Sequence, residues 1–267
     1  MPQDYDVTRQ VWEGKVPVEF VLAAHECTII DAPKPYYAML PRISYFPLAL
    51  ERAYKYFMSA VDESEVNKDD VWLEYDGYPL KWHYPVGVLF DLHKTDDVLP
   101  WQITVHLKKF PEDDIIRCAG RDALESMFMQ SLKEADQLKH RGEIVNTMQK
   151  RDHKQLWNGL VNDRFDQFWL VNKKLMENSG SNTFHFVPMR LYKTDKPYRQ
   201  VLVKPMNEAA ERTTLAEACR IFDPDFDSSS SRVVSHGVEV PLDTPVIWLA
   251  ENLAYPDNFV HISILSS

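Results

Sequence analysis

The segment Val71-Trp72-Leu73-Glu74-Tyr75-Asp76-Gly77 is followed at a fixed distance by Pro85-Val86, and the last third of the chain repeats this arrangement. The second copy runs from Arg232 to Gly237 and continues with Pro245-Val246 at the same spacing. Each copy is typical of a strand, a glycine turn, a short extended piece and a helix opened by proline. Because repeated units bury similar cores, we expect two related modules.

The sequence around each copy completes the same order of elements. Alternating β-branched and aromatic residues predict two strands before each copy, a helix after them and a closing strand. In the first module these are Lys15–Ala23, Tyr36–Tyr45, a helix near Pro47 and Val105–Leu107; in the second they are Phe184–Tyr192, Tyr198–Lys204, a helix at Thr214–Glu217 and Val260–Ile262. Thr214 and Glu217 are spaced for a capping box. The order favours the β-grasp arrangement of ubiquitin-like domains, although the pattern alone leaves ferredoxin-like alternatives open.

The sequence between the modules is rich in helix-forming residues. It predicts a helix over Asp122–His140, a break near Arg141-Gly142 and a helix over Asp152–Met176. The fold class is therefore α+β, with two ubiquitin-like β-grasp domains flanking a helix-rich domain. The predicted boundaries are an N-terminal helix or arm at 1–14, a first ubiquitin-like domain at 15–110, a linker at 111–120, the helix-rich domain at 121–177, a linker at 178–183 and a second ubiquitin-like domain at 184–267.

Composition limits the classes of function. The formal net charge of −10 argues against nucleic acid as a partner, because phosphate binding needs clustered Lys and Arg. The three cysteines, Cys27, Cys118 and Cys219, are odd in number and widely spaced, so neither a disulfide framework nor a structural zinc site is indicated. No signal-peptide pattern and no long apolar run is present, which predicts a cytosolic protein.

The search for catalytic chemistry finds little. His83, His93 and His106 occur near Asp91 and Asp96 but lack the spacing of metal ligands, so no metal site and no cofactor are predicted. His106 alternates with Val105 and Leu107, which predicts a histidine on the solvent face of a strand. No nucleophile elbow or phosphate-binding glycine loop occurs. The chain also ends without the diglycine of a ubiquitin-like modifier, so in a conjugation system we expect it to be an acceptor or scaffold.

Four long strings resemble the autophagy protein 5 family, and more closely its animal members. They are Tyr78–Pro85 (YPLKWHYP), Met148–Trp157 (MQKRDHKQLW), Asn162–Trp169 (NDRFDQFW) and Tyr255–Phe259 (YPDNF). Strings of this length and aromatic content are specific, and the likeness runs from about Asp6 to Leu265. The resemblance implies the same three-domain organisation.

The resemblance also implies a non-catalytic scaffold in autophagosome formation. One lysine would be joined to the C-terminal glycine of a ubiquitin-like modifier, autophagy protein 12, with autophagy proteins 7 and 10 as the conjugating enzymes. The scaffold would bind the N-terminal helix of a coiled-coil protein, autophagy protein 16. The conjugate would then stimulate autophagy protein 3 to lipidate ubiquitin-like proteins with phosphatidylethanolamine. The implied location is the cytoplasm, with peripheral association at the preautophagosomal or isolation membrane.

The acceptor lysine of the family lies in a context that matches Leu132–His140 (LKEADQLKH) and places it at Lys133. From the residues alone, Lys133 is an ordinary helix-surface charge, expected to be partnered by Asp136 or Gln137. Lys139 is a competing candidate that the spacing does not exclude.

The predicted helix over Asp152–Met176 carries an apolar stripe wider than one packing contact uses. Its aromatic residues are expected to serve partly as core and partly as the border of a groove for the partner helix. The groove candidates are Trp157, Phe165 and Trp169. Two alternative functions remain: a ubiquitin-like adaptor without a covalent step, and a hydrolase built from His83, Asp91 and His106.

Overall fold

The computed structural model describes residues 4–178, 183–194 and 196–266. The chain divides into two compact units. One is Lys15–Glu125, and the other combines the two segments Met1–Gly14 and Ser126–Ser267. The first described element is helix α1 (Tyr5–Glu13), which belongs to the unit that contains Ser126–Ser267. Asp4 caps this helix by accepting hydrogen bonds from the backbone N–H groups of Asp6 and Val7.

The Lys15–Glu125 unit holds the first sheet. Its elements are β1 (Lys15–Leu22), β2 (Tyr36–Pro41), α2 (Phe46–Phe57), β3 (Trp72–Tyr75), β4 (Tyr78–Pro79), α3 (Val86–His93) and β5 (Trp101–His106). The strand order is β2-β1-β5-β3-β4, and β1 and β5 are parallel at the centre. Val16, Val18 and Phe20 alternate along β1 and are all buried, as the period of a half-buried strand requires.

The glycine turns that mark the repeat join short antiparallel strands in both units. Asp76 and Gly77 connect β3 to β4 with positive φ angles of 50° and 79°. His236 and Gly237 adopt the same conformation, with φ angles of 53° and 82°. This backbone matches the twist of a two-residue hairpin and favours glycine.

The helix-rich segment contains α4 (Arg121–His140), α5 (Glu143–Thr147), α6 (Lys150–Val161) and α7 (Phe165–Leu175). The predicted break after His140 is confirmed, and Arg141 and Gly142 there have positive φ angles of 59° and 80°. The prediction of one helix over Asp152–Met176 is wrong, because the chain turns between α6 and α7.

Two local features explain this turn. Asp163 adopts a left-handed conformation with φ 51°, which aspartate tolerates better than most residues. The Arg164 N–H donates to the Gly159 carbonyl over 2.8 Å and closes the end of α6. Gly159 also lies against α7 so closely that a Cβ would be 2.8 Å from the Phe168 Cβ. A side chain there would force the two helices apart.

The second sheet repeats the first. Its elements are β6 (Met189–Lys193), β7 (Lys196–Arg199), α8 (Leu215–Phe222), β8 (Ser231–Ser235), β9 (Val238–Glu239), α9 (Val246–Asn252) and β10 (Val260–Ser266). The order β7-β6-β10-β8-β9, with β6 and β10 parallel, reproduces the order of the first sheet. The predicted fold class, with two β-grasp modules and a helical segment between them, is confirmed.

The capping box predicted for Thr214 and Glu217 is present, since each side chain accepts a hydrogen bond from the backbone N–H of the other residue.

The ends of two strands differ from the prediction. The strand predicted over Tyr198–Lys204 is instead β7, which ends at Arg199, and Val203 forms only an isolated bridge to Val187. β2 likewise ends at Pro41, because a turn precedes α2.

Candidate functional site

Helix α4 carries the predicted acceptor lysine, and packing on one side of the helix determines which side chains remain accessible. Phe128, Leu132 and Ala135 are each at most 1% exposed and form a buried apolar stripe along the helix. Lys133 follows Leu132 and is exposed. Among the described residues, none forms a hydrogen bond or an ion pair with the Lys133 amine.

Asp136, one of the two partners expected for Lys133, has another role. Asp136 is fully buried, where its carboxylate accepts hydrogen bonds from His140 Nδ1 over 2.9 Å and from the Val145 N–H over 2.8 Å. The expectation that Asp136 partners Lys133 is therefore wrong. A buried carboxylate needs such donors, and the hydrogen bond from Val145 ties the end of α4 to α5.

The competing candidate, Lys139, is 1% exposed. Its Nζ donates to the Leu175 carbonyl and, over 2.6 Å, to Asn258 Oδ1. Burial lowers the pKa of Lys139 to about 7, against the opposing attraction of Asp136 and Asp257. Lys139 is therefore enclosed by its own chain. The two candidate lysines, which the sequence spacing did not distinguish, differ in accessibility: Lys133 is exposed and Lys139 is buried.

This depressed pKa predicts a pH dependence of stability. Between about pH 7 and pH 10.5 the unfolded chain binds more protons than the folded one, so Lys139 makes the free energy of unfolding rise with pH by up to about 1.4 kcal/mol per pH unit. Below pH 7 both states are protonated and the dependence ends. In urea unfolding at several pH values, Lys139→Met should remove this slope and Lys133→Met should keep it. Parallel pH curves for wild type and Lys139→Met would contradict a depressed pKa.

Arg190 of β6 holds α4 against the second sheet. Its guanidinium donates to Glu134 over 3.2 Å and to Ser131 over 3.3 Å. The same group lies 3.8 Å from the centre of the Phe259 ring and 3.5 Å from a carboxylate oxygen of Asp257. Glu134, the neighbour of Lys133, is thus engaged by Arg190. The backbone that carries Lys133 is fixed by contacts that no sequence spacing indicates.

Two of the three predicted groove aromatics lie under other parts of the chain. Trp157 is 4% exposed and packs against Phe128 with ring centres 5.8 Å apart. Phe165 is 6% exposed and lies beneath α1, where Tyr5 and Trp12 meet it edge-on at 5.4 Å and 5.7 Å. Both side chains belong to the core of the unit that contains Ser126–Ser267.

Helix α1 is positioned by polar contacts as well as by rings. Trp12 Nε1 donates to Asp163 Oδ1 over 2.9 Å, and the Tyr5 hydroxyl donates to Asp166 over 3.0 Å. Both acceptors flank Phe165 in the sequence. These two hydrogen bonds therefore hold α1 in place over Phe165.

Trp169 is the groove candidate that keeps an accessible surface. It is half-buried and stacks on Phe165, with ring centres 5.7 Å apart and planes 12° from parallel. Leu170 beside it is 58% exposed. Trp169 is therefore the one groove candidate with surface left for a partner, and its role in a groove stays a prediction.

The residues of the hydrolase alternative each have another partner. Asp91 forms a buried ion pair with Arg42. His106 is 7% exposed and contacts Glu26 and Glu74, so its predicted place on the solvent face is wrong. The ring of His83 packs against that of Tyr84 at 4.7 Å. The acid of such a triad would already be paired, which disfavours this alternative.

No helix among the described residues has both the length and the apolar character needed to cross a membrane.

Comparison with known proteins identifies the chain along its length. Three family models match: Autophagy protein ATG5, UblA domain, at residues 11–107; the alpha-helical bundle region at 121–178; and the UblB domain at 186–264. Autophagy protein 5 of Drosophila melanogaster is 41% identical over 99% of this chain and 98% of its own length. Autophagy-related protein 5 of Caenorhabditis elegans is 38% identical over 98% of each chain.

A solved structure shares the fold. The crystal structure of Kluyveromyces marxianus Atg5 superposes with a TM-score of 0.83 at 19% sequence identity. The match covers 98% of this chain and 100% of that one.

Proposed function

Because the chain belongs to the autophagy protein 5 family, we propose that it is a non-catalytic scaffold joined covalently through Lys133 to the ubiquitin-like modifier autophagy protein 12. Membership of this family supports a role in autophagy. One observation favours Lys133 over Lys139 as the acceptor: Lys133 presents an exposed amine without a partner among the described residues, whereas Lys139 is enclosed.

The proposed reaction is an acyl transfer. The deprotonated Lys133 Nζ attacks the thioester carbonyl that links the C-terminal glycine of the modifier to a cysteine of autophagy protein 10. A C–N bond forms, the C–S bond breaks, the thiolate leaves, and the nitrogen gives up one proton. The scaffold contributes position, because a lysine on a rigid helix loses less freedom on reaching the thioester.

The proposed conjugate works with partners. It binds the N-terminal helix of autophagy protein 16 and, with autophagy protein 7 having activated the modifier, stimulates autophagy protein 3 to transfer ubiquitin-like proteins to phosphatidylethanolamine. The scaffold is then cytoplasmic and peripheral on the preautophagosomal or isolation membrane. An adaptor without a covalent step is the remaining alternative.

The experiment that tests the proposal is a reconstituted conjugation followed by peptide mapping. The chain is incubated with ATP, the modifier and its two conjugating enzymes, and the product is digested and analysed by mass spectrometry. We expect a branched peptide in which the modifier's C-terminal glycine is attached to Lys133. A branch at another lysine would contradict the acceptor assignment, and the absence of any adduct would favour the adaptor.

Trp169 gives a separate test of the helical partner. A peptide of the N-terminal helix of autophagy protein 16 is expected to bind the unconjugated chain and raise its melting temperature by mass action. Trp169→Ala should weaken binding at least about tenfold, since buried tryptophans dominate such interfaces. The control is Ile221→Ala, because Ile221 is 49% exposed on α8. Calorimetry that detects binding only after conjugation would show that no groove is preformed.

A further inference from the structure

A cluster of His25, Glu26 and His106 lies in the Lys15–Glu125 unit. One ring nitrogen from each histidine and one carboxylate oxygen lie within 4.8 Å of one another. Glu26 Oε1 is 3.8 Å from His25 Nε2 and 3.7 Å from His106 Nδ1. The carboxylate oxygen therefore stands between two potential nitrogen ligands.

The sheet brings these residues together from separate parts of the sequence. His25 and Glu26 occupy a single turn of 3-10 helix, Ala24–Glu26, directly after β1. His106 ends β5, the parallel neighbour of β1. The Ala23 N–H donates to the Val105 carbonyl over 3.0 Å and fixes this turn beside the end of β5.

Glu26 is an unusual carboxylate. The residue is 3% exposed, and its Oε2 accepts a hydrogen bond from the Leu107 N–H over 2.7 Å. Its Oε1 has no hydrogen-bond partner among the described residues. A buried carboxylate oxygen without a hydrogen-bond donor is costly unless a cation balances it.

His106 is oriented by a second carboxylate and by an aromatic ring. Its Nε2 lies 3.0 Å from Glu74 Oε2, and the imidazole stacks on Trp72 with ring centres 3.9 Å apart and planes 9° from parallel. With the proton on Nε2 donated to Glu74, the lone pair of Nδ1 faces Glu26. Metal-ligating histidines are commonly held in this way by an outer carboxylate.

We propose that His25 Nε2, Glu26 Oε1 and His106 Nδ1 form a binding site for a divalent transition metal ion of the zinc class. Two imidazoles and one carboxylate form a donor set that zinc accepts, with water as the fourth ligand, whereas calcium and magnesium prefer oxygen ligands. Zinc ligands about 2.0 Å from the ion lie roughly 3.3 Å apart. The observed 3.7 Å and 3.8 Å separations need only a small closure, and the two ring nitrogens, which lie within 4.8 Å of each other, must also approach. The side chain of His25 is 61% exposed, so it is the ligand with room to move.

The ligands escape detection in the sequence because they occupy two distant segments rather than one short motif. A bound ion would pin the turn after β1 to the end of β5. Because the unfolded chain does not hold these three atoms together, binding would stabilise the folded state by mass action.

The test is a zinc titration of the full chain, freed of metal with a chelator and dialysed. Calorimetry against a competing chelator should give one zinc ion per chain. His25→Ala and Glu26→Gln should each weaken affinity at least tenfold, and Glu74→Gln should weaken it about 10- to 100-fold. X-ray absorption at the zinc edge should show nitrogen and oxygen ligands near 2.0 Å. The fold is not at risk in His25→Ala, since that side chain is exposed, and its melting temperature without metal should equal that of wild type.

Two controls separate this site from other zinc ligands. His185→Ala removes an exposed histidine of the other unit, and Cys27→Ser removes the thiol next to Glu26; both should bind zinc as wild type does. Equal affinity of wild type and His25→Ala would overturn the proposal and leave an ion-pair network of His106 with Glu26 and Glu74. Loss of binding in Cys27→Ser alone would also overturn it, in favour of a thiolate site.

Discussion

Lys133→Arg is expected to abolish the covalent adduct and leave the fold intact. A guanidinium stays protonated at neutral pH and offers no usable lone pair, while arginine keeps the charge and the helix propensity of lysine. Lys133 is exposed, so the free energy of unfolding should change by less than about 0.5 kcal/mol. The measurement is the fraction of the chain that shifts to the mass of the conjugate in the reconstituted reaction.

The matched control is Lys173→Arg, because Lys173 is also an exposed lysine on a helix of the same unit. It should conjugate as wild type does. Persistence of the heavier species in Lys133→Arg would refute the assignment. Loss of the adduct in a folded Lys139→Arg, with Lys133→Arg unaffected, would move the acceptor to Lys139 and imply that the end of α4 opens.

Truncation after Ser231 is expected to eliminate soluble, cooperatively folded protein. The deleted segment contains β10, which lies between β6 and β8 at the centre of the second sheet. It also contains Leu249 and Phe259, each 0% exposed, and Asn258, which accepts a hydrogen bond from Lys139. Losing them would expose a large apolar surface and leave Lys139 without a side-chain acceptor. Soluble yield and the thermal melting curve measure the result.

A single substitution in the deleted segment should destabilise the chain without removing the second sheet. Phe259→Ala should lower the free energy of unfolding by about 3–5 kcal/mol, because it leaves a cavity and removes the ring beneath Arg190. Val238→Ala is the control, since Val238 is 55% exposed on β9 and should cost little. A truncated chain that melts cooperatively would show that the repeat is an independent appendage.

Local periodicity was sufficient to predict much of the architecture. The order of elements in the two modules, the glycine turns, the capping box of Thr214 and the break after His140 all depend on residues close together in the chain, and each is present. The division between α6 and α7 was missed. Its local indications were Asn162-Asp163 before Phe165 and Gly159 within α6, but an unbroken apolar stripe outweighed them.

Local pattern did not predict which of the candidate site residues are accessible. The residue context and the family likeness together predicted an acceptor on α4 and left Lys133 and Lys139 as its candidates. The folded chain separates them, since Leu175 and Asn258 enclose the Lys139 amine. In the same way α1 covers Phe165, while Trp169 keeps part of its surface.

Short-range pattern therefore specified the order of helices, strands and turns in each module, because hydrophobic spacing and turn chemistry act between neighbouring residues. The exposure and pairing of single side chains came from the packed structure, because burial and charge balance are set by residues far apart in the chain. Asn258 beside Lys139, and His106 beside Glu26, are neighbours only once the strands have paired.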